Sequence, residues 1–253
     1  MRYYPTIQHE KAAKRFIEIF SQEKSVMNIL LIGSCARGKA SKDSCLDICI
    51  IIRKKADIKK IENKFKEIYK KDKVFIELSK VGKYSHIDLE VTDGKIKPTE
   101  RGWTSGPDEY ELSVGNIFCY SVILFDRNGY FKRLQKKYVP YYDEILRRTR
   151  FEEAKKFMFN NLDHIPLYVM RGLYFQSFKR LYDATREFLQ ALFIKNKIYP
   201  IAYDKWIKEQ LVEILKKPEL YQEFVTLYEI KNLESIELIE KADKLKNLIN
   251  KYL

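Results

Sequence analysis

LLIGSCARGKASKDSCLDICIII, residues 30–52, holds two apolar runs separated by a Gly-Ser turn and a small basic loop. Each run has the length and the Leu/Ile content of a buried strand. The second contains a single acid, Asp47, flanked two residues away on either side by Cys45 and Cys49. Residues at i and i+2 of a strand share a face, so the carboxylate and the two thiols belong to one surface of the sheet. A carboxylate in an apolar strand is costly unless it is paired or binds a cation, which makes Asp47 a candidate for chemical work. Metal chemistry at this place calls for a second carboxylate beside it.

The turn between the runs suits a phosphate. Gly33 lets a ligand approach the backbone, and Ser34 adds a hydroxyl and an amide at the start of a short helix. Arg37 and Lys39 follow in the same loop, placed to neutralise phosphate charge.

Outward from this stretch, IQHEKAAKRFIEIFSQ spaces Ala12, Phe16, Ile19 and Phe20 as one helix face, and VMNILLI reads as a buried strand. After the charged KKADIKK, the segment IKKIENKFKEIYKK is an amphipathic helix with Ile58, Ile61, Phe65 and Ile68 on one side. VFIEL and SHIDLEV read as further strands, the latter closed by the turn signal TDG. In SHIDLEV, Asp88 and Glu90 share a face, with His86 on the same side as a surface or hydrogen-bonding group.

The character changes at IKPTERGWTSGPDEYE, where Pro, Gly and Ser concentrate. Beyond it the apolar stripes at three-and-four spacing predict helices in FEEAKKFMFNNL, RGLYFQSFKRLYDATREFLQALFIKN, YDKWIKEQLVEILKK and LESIELIEKADKLKNLINKYL. Pro166, Pro200 and Pro218 are expected at helix starts or turns. Tyr174, Phe175, Phe178, Tyr182 and Phe188 are expected to serve mainly as core. The fold class expected is α+β: a small mixed sheet with flanking helices over residues 1–104, then an all-helical domain over residues 105–253.

With 48 basic against 35 acidic residues the net charge is +13, which favours polyanionic partners such as a nucleotide triphosphate, RNA or a phosphorylated metabolite. No apolar run reaches the length of a membrane span and the N-terminus lacks the apolar core of a signal peptide, so a cytoplasmic protein with no membrane partner is expected. Four sparse cysteines form no disulfide framework. Cys45 and Cys49, four apart on one strand, sit roughly 13 Å apart, too far to share a zinc ion.

GSCARGKASKDSCLD, from Gly33 to Asp47, resembles the signature of the nucleotidyltransferase superfamily that includes DNA polymerase β, nearest to its small antibiotic and minimal members. That pattern reads Gly-Ser, a spacer often containing Ala-Arg-Gly, then Ser-Asp-x-Asp in a strand. The resemblance implies transfer of a nucleoside monophosphate, AMP from ATP as the foremost case, to a hydroxyl on a small molecule or RNA. It implies Mg²⁺, or Mn²⁺, held by Asp47 and by an acid of the later strand. Asp88 is the first choice there, as metal ligand and as acceptor of the hydroxyl's proton, and Glu90 the second. Two ions held by such carboxylates clamp the attacking and leaving oxygens of the displacement. The helical part is expected to cover the nucleotide, with Lys179 or Arg180 reaching the triphosphate. A homodimer is also among the expected assemblies.

The chain departs from the pattern at one acid: counted from Gly-Ser, Cys45 stands at the first acidic position, and with Asp47 taken as the first acid, Cys49 stands at the second. A thiol is mostly neutral at pH 7, and its thiolate is a soft ligand poorly matched to Mg²⁺. Three consequences stand open: transfer with one Mg²⁺ or Mn²⁺, nucleotide or RNA binding without catalysis, or replacement of the missing acid by Asp43. Two readings also stand open for Trp103, Asp108, Glu109 and Glu111: a seat for a cationic acceptor, or an acid-rich helix start after a linker.

Overall fold

The computed structural model describes residues 3–98 and 106–253. Its elements in chain order are α1 (Ile7–Phe20), β1 (Val26–Leu31), α2 (Gly33–Ala36), β2 (Leu46–Ile52), α3 (Ile58–Tyr69), α4 (Lys73–Ser79), β3 (Ile87–Thr92), α5 (Tyr110–Val114), β4 (Val122–Asp126), α6 (Tyr130–Tyr138), α7 (Glu144–Met170), α8 (Tyr174–Asn196), α9 (Pro218–Val225) and α10 (Glu237–Tyr252). They form two compact units, one of residues 1–97 with 113–140 and one of residues 98–112 with 141–253. Trp103 and the junction expected at residue 104 lie outside the described residues.

The first unit is a mixed four-stranded sheet in the order β3-β2-β1-β4. β1 pairs antiparallel with β2 and β4, and β2 pairs parallel with β3. A parallel pair needs a long crossover, and the amphipathic α3 with α4 supplies it. Leu46, Ile48, Ile50 and Ile52 of β2 form one face of the strand and pack with Phe16, Phe20, Ile61 and Phe75 from the helices. Ile58, Phe65 and Ile68 border this core, as their helical spacing predicts.

VFIEL is helix α4 and not a strand. A short apolar run does not reveal its own period. The preceding Asp72 decides it, because its carboxylate caps the helix by accepting from the Val74 amide at 2.9 Å. Phe75 and Leu78, one helical turn apart, are then both buried. Residues 113–140 bring a further strand that the helical reading of the later chain lacks. β4 completes the sheet beside β1, and Asp126 at its end accepts from Asn28 Nδ2 at 2.7 Å and from the Phe131 amide at 3.0 Å. The same carboxylate thus joins β1, β4 and the first turn of α6.

The second unit is helical and rests on the pair α7 and α8 with α10 against both. Its core includes Met158, Leu162, Leu181, Phe188, Leu192, Leu211 and Leu245. Pro166 lies inside α7, not at a start or turn, whereas Pro218 opens α9. Of the aromatics expected in the core, Phe188 is buried and Tyr174 and Phe178 border it, but Phe175 is 77% exposed. YDKWIKEQLVEILKK forms a π-helical turn, Glu209–Ile214, in place of a long regular helix. There the buried Gln210 side chain accepts from the Ile201 amide at 2.7 Å and donates to the Ala202 carbonyl at 2.7 Å, tying down the preceding loop.

Charge also holds this unit together. Arg150 of α7 is buried and bonds Asp108 (Nη2–Oδ1 2.7 Å) and Glu111 (Nη2–Oε2 2.6 Å). Glu111, fully buried, also accepts from Tyr142 at 2.8 Å and from Gln190 at 3.1 Å. Removing one partner of such a network strands the remaining buried charge, at about 3–5 kcal/mol. Arg150→Met is therefore expected to lower the free energy of unfolding by about 3–5 kcal/mol, measured by urea denaturation followed by circular dichroism; a loss under about 1 kcal/mol contradicts it.

Candidate active site

β2 and β3 bring the two acids together. In their parallel register Asp47 stands directly opposite Asp88, and Cys49 opposite Glu90. Paired residues of neighbouring strands lie about 4.8 Å apart across the sheet, so the two aspartates form a carboxylate pair on one face. Glu90 is one same-face step further along, about 6.6 Å beyond Asp88. Asp47 is half-buried, while Asp88 and Glu90 are exposed on the edge strand. His86 is exposed as well.

The Gly-Ser turn is built around Asp47. The Ile32 amide donates to the Asp47 carbonyl at 3.0 Å, and Gly33 then takes a φ of +65°, the left-handed region open chiefly to glycine. A Cβ at Gly33 would lie 2.9 Å from Asp47 Cγ and overlap the carboxylate itself. Arg37 closes the turn by donating from Nη1 to the Gly33 carbonyl at 2.9 Å. The Lys39 amide donates to the Ser34 carbonyl at 2.9 Å, which leaves its ammonium on the exposed rim. Gly33, Ser34, Arg37 and Lys39 thus sit in one loop against Asp47.

Cys45 does something its sequence position did not reveal. Its thiol lies near the Asp47 carboxylate on the same face of the sheet. Burial first, and then its interaction with Asp47 and the charge of Asp88, push the thiol up to about 12. Cys35, whose Sγ lies 3.6 Å from the Cys45 carbonyl, is likewise pushed up to about 12, by burial first and then by the charge of Asp47. Both thiols therefore stay neutral near pH 7, and the negative field they register is one that a cation would neutralise. The alternation of Cys45 with Asp47 was the one available signal for this proximity.

The other expectations divide. Asp43 accepts from the Lys83 amide at 3.2 Å and so holds a turn, not the place of the missing acid. Lys179 lies in the second unit, where its ammonium pairs with Asp183 one helical turn away at 2.6 Å. Arg180 is buried in that unit and donates to Asn161 Oδ1 at 2.7 Å. Asp108 and Glu111 are buried and both pair with Arg150, so their carboxylates are engaged within the second unit; Glu109 is exposed beside them. Among the described residues, no three His, Cys, Asp or Glu side chains gather as a metal-ligand cluster. Two carboxylates in register fit one hard ion that draws its remaining oxygens from phosphate and water, and they do not supply a two-ion clamp.

Two outcomes test this geometry. Gly33→Ala is expected to cost about 1–2 kcal/mol of stability from its backbone conformation alone, before any overlap with Asp47, as read by urea denaturation. Cys45 is expected to alkylate with iodoacetamide at pH 9 roughly 100-fold more slowly than free cysteine, because a raised pKa leaves little thiolate. Asp47→Asn removes a charge that opposes ionisation and is expected to speed that reaction; an unchanged rate would contradict the contact.

Residues 13–100 match the nucleotidyltransferase domain family. Among solved structures, the chain is similar to a nucleotidyltransferase-like protein from Exiguobacterium sibiricum 255-15, at 12% identity and a TM-score of 0.46 over 96% of this chain and 75% of that one. No curated protein matches the chain. The turn of Gly33 and Ser34, the strand of Asp47 and the strand of Asp88 all fall inside the span that matches the nucleotidyltransferase domain.

Proposed function

We propose that this domain transfers a nucleoside monophosphate, AMP from ATP in the first instance, to a hydroxyl acceptor, using one divalent ion. The observation that carries the reading is the in-register pairing of Asp47 with Asp88 beside a Gly-Ser turn that fits against Asp47. Mg²⁺, or Mn²⁺, would be held by Asp47 and Asp88, with Glu90 nearest behind them, and would supply charge neutralisation at the α-phosphate. The chain's own residues do the rest. The backbone of Gly33 and Ser34 lets the triphosphate approach closely, and Arg37 and Lys39 offset its charge. Asp47 is kept in one orientation by Gly33 behind it, with the Cys45 thiol beside it. Asp88, exposed at the sheet edge, is placed to take the proton of the acceptor hydroxyl. The acceptor is a small molecule or RNA.

A second reading has its own observation. Cys45 puts a neutral thiol, raised by burial, on the same face as Asp47 and adds no charge there, an arrangement suited to binding nucleotide without transfer.

One experiment separates them. Wild type is incubated with labelled ATP, GTP, CTP or UTP and Mg²⁺ or Mn²⁺, and pyrophosphate release and label transfer are followed. Transfer is expected in wild type and is expected to fall by about 10²-fold or more in Asp47→Ala, the scale on which removal of one preorganised electrostatic group acts. Silence in wild type together with turnover in Cys45→Asp supports the second reading and overturns the first.

A further inference from the structure

The positive charge of the chain is concentrated away from this site. Residues 53–83 contain twelve basic and five acidic residues, a net +7 of the chain's +13. Within α3 and its cap, Lys59, Asn63, Lys66 and Lys70 recur at helical spacing and are all exposed, on the side away from Ile61. Lys55, also exposed, precedes them in the entering turn. Among the described residues none of these four lysines makes an ion pair, whereas Lys60 and Lys64 on the flank are drawn to Glu23. From Lys59 to Lys70 the stripe runs about 16 Å. At its start an open groove of about 480 Å³ is lined by four basic residues, Lys24, Arg53, Lys54 and Lys60, against two acids, Glu23 and Asp57, with Ser25 among them. The Ser25 hydroxyl is buried there without a hydrogen-bond partner.

We propose that this face of the first unit grips the phosphate backbone of a single-stranded nucleic acid, so that the acceptor of the proposed transfer is a polynucleotide and not a small molecule. The inference rests on the hydroxyl-acceptor reading above. Three observations select the occupant. Point-charge lysines at regular spacing neutralise phosphates without reading bases. The stripe carries no apolar residue to enter a lipid interface, which argues against an anionic membrane. Lysine is depleted in protein–protein contacts and no aromatic or Arg anchor interrupts the stripe, which argues against an acidic protein.

The topology adds a route. α3 begins beyond Ile52, the end of β2 remote from Asp47, and runs back, so Lys70 lies toward the Asp47 end of the sheet and Lys55 toward the other. The helix covers the apolar face and packs against the edge strand β3, whose opposite face carries Asp88. A flexible single strand held on the stripe reaches the carboxylates by passing round β3. A stiff duplex does not make that bend over so short a path.

The test is fluorescence anisotropy with a 5′-labelled RNA of about 20 nucleotides, and a DNA of the same sequence, from about 50 to 200 mM KCl and without triphosphate. Wild type is expected to bind both within about threefold of each other, since the lysines contact phosphates only. A quadruple Lys→Gln variant at 55, 59, 66 and 70 is expected to weaken binding at the lowest salt by at least about 10-fold. It is also expected to reduce the log–log salt slope by about 2.8, at roughly 0.7 for each phosphate of a single strand that is no longer neutralised. Its thermal melt by circular dichroism is expected to match wild type, because all four side chains are exposed. Absence of binding by wild type, an unchanged salt slope in the variant, or capture on phosphatidylserine vesicles with the oligonucleotide left free each overturns the proposal. Asp47→Ala is expected to bind the oligonucleotides as wild type does. A failure of binding therefore leaves the carboxylate site standing, and a failure of transfer leaves the grip standing.

Discussion

The approach of the Asp47 carboxylate to the α-carbon of Gly33 is the interaction on which the site is built. It demands a residue without a side chain, in a left-handed conformation, at the point where β1 gives way to its turn. It also fixes the direction of the carboxylate before any ligand arrives, so that little reorganisation is left to the moment of binding.

The parts of this arrangement that were legible in the sequence are those governed by short periods. Asp47 and Asp88 could be placed on strands, and Asp88 with Glu90 on one face, because side chains alternate with a period of two; that the two strands are neighbours came only from the family resemblance. Gly33 announced itself through its turn. VFIEL was not legible, since five apolar residues suit either element and only the cap from Asp72 settles the matter. β4 was missed because VILFD is short and lies among helical patterns, and its partners in β1 are roughly a hundred positions away in the chain. The two readings of the acids at 108 and 111 stayed open in the sequence because Arg150, the cation that pairs with them, is 39 to 42 residues distant. Lys179 is different: Asp183 stands at i+4 on the same helix, a pairing that local spacing does reveal.

The second unit shows how a connecting segment is fastened without much apolar surface. Asp108 and Glu111 belong to the stretch that leaves the first unit, and they are held by an arginine, a tyrosine and a glutamine from α8 and the region around α7. A saturated polar cluster of this kind is directional. It accepts one docking of the segment and penalises any neighbouring one, because a shift by a residue would leave buried charge unpaired.

The return of the chain to the first unit at β4 has a consequence for how the protein is made. β1, buried along its full length, has neighbours on both sides only after residue 126 has been synthesised, and the chain visits the second unit in between. Until then one side of β1 is an open strand edge, with unpaired amides and carbonyls able to template association with other chains. Pairings of such long sequence separation form slowly. The nascent protein therefore passes through an interval of exposure set by the distance between β1 and β4, and the speed of elongation across residues 98–126 bears directly on the yield of folded molecules.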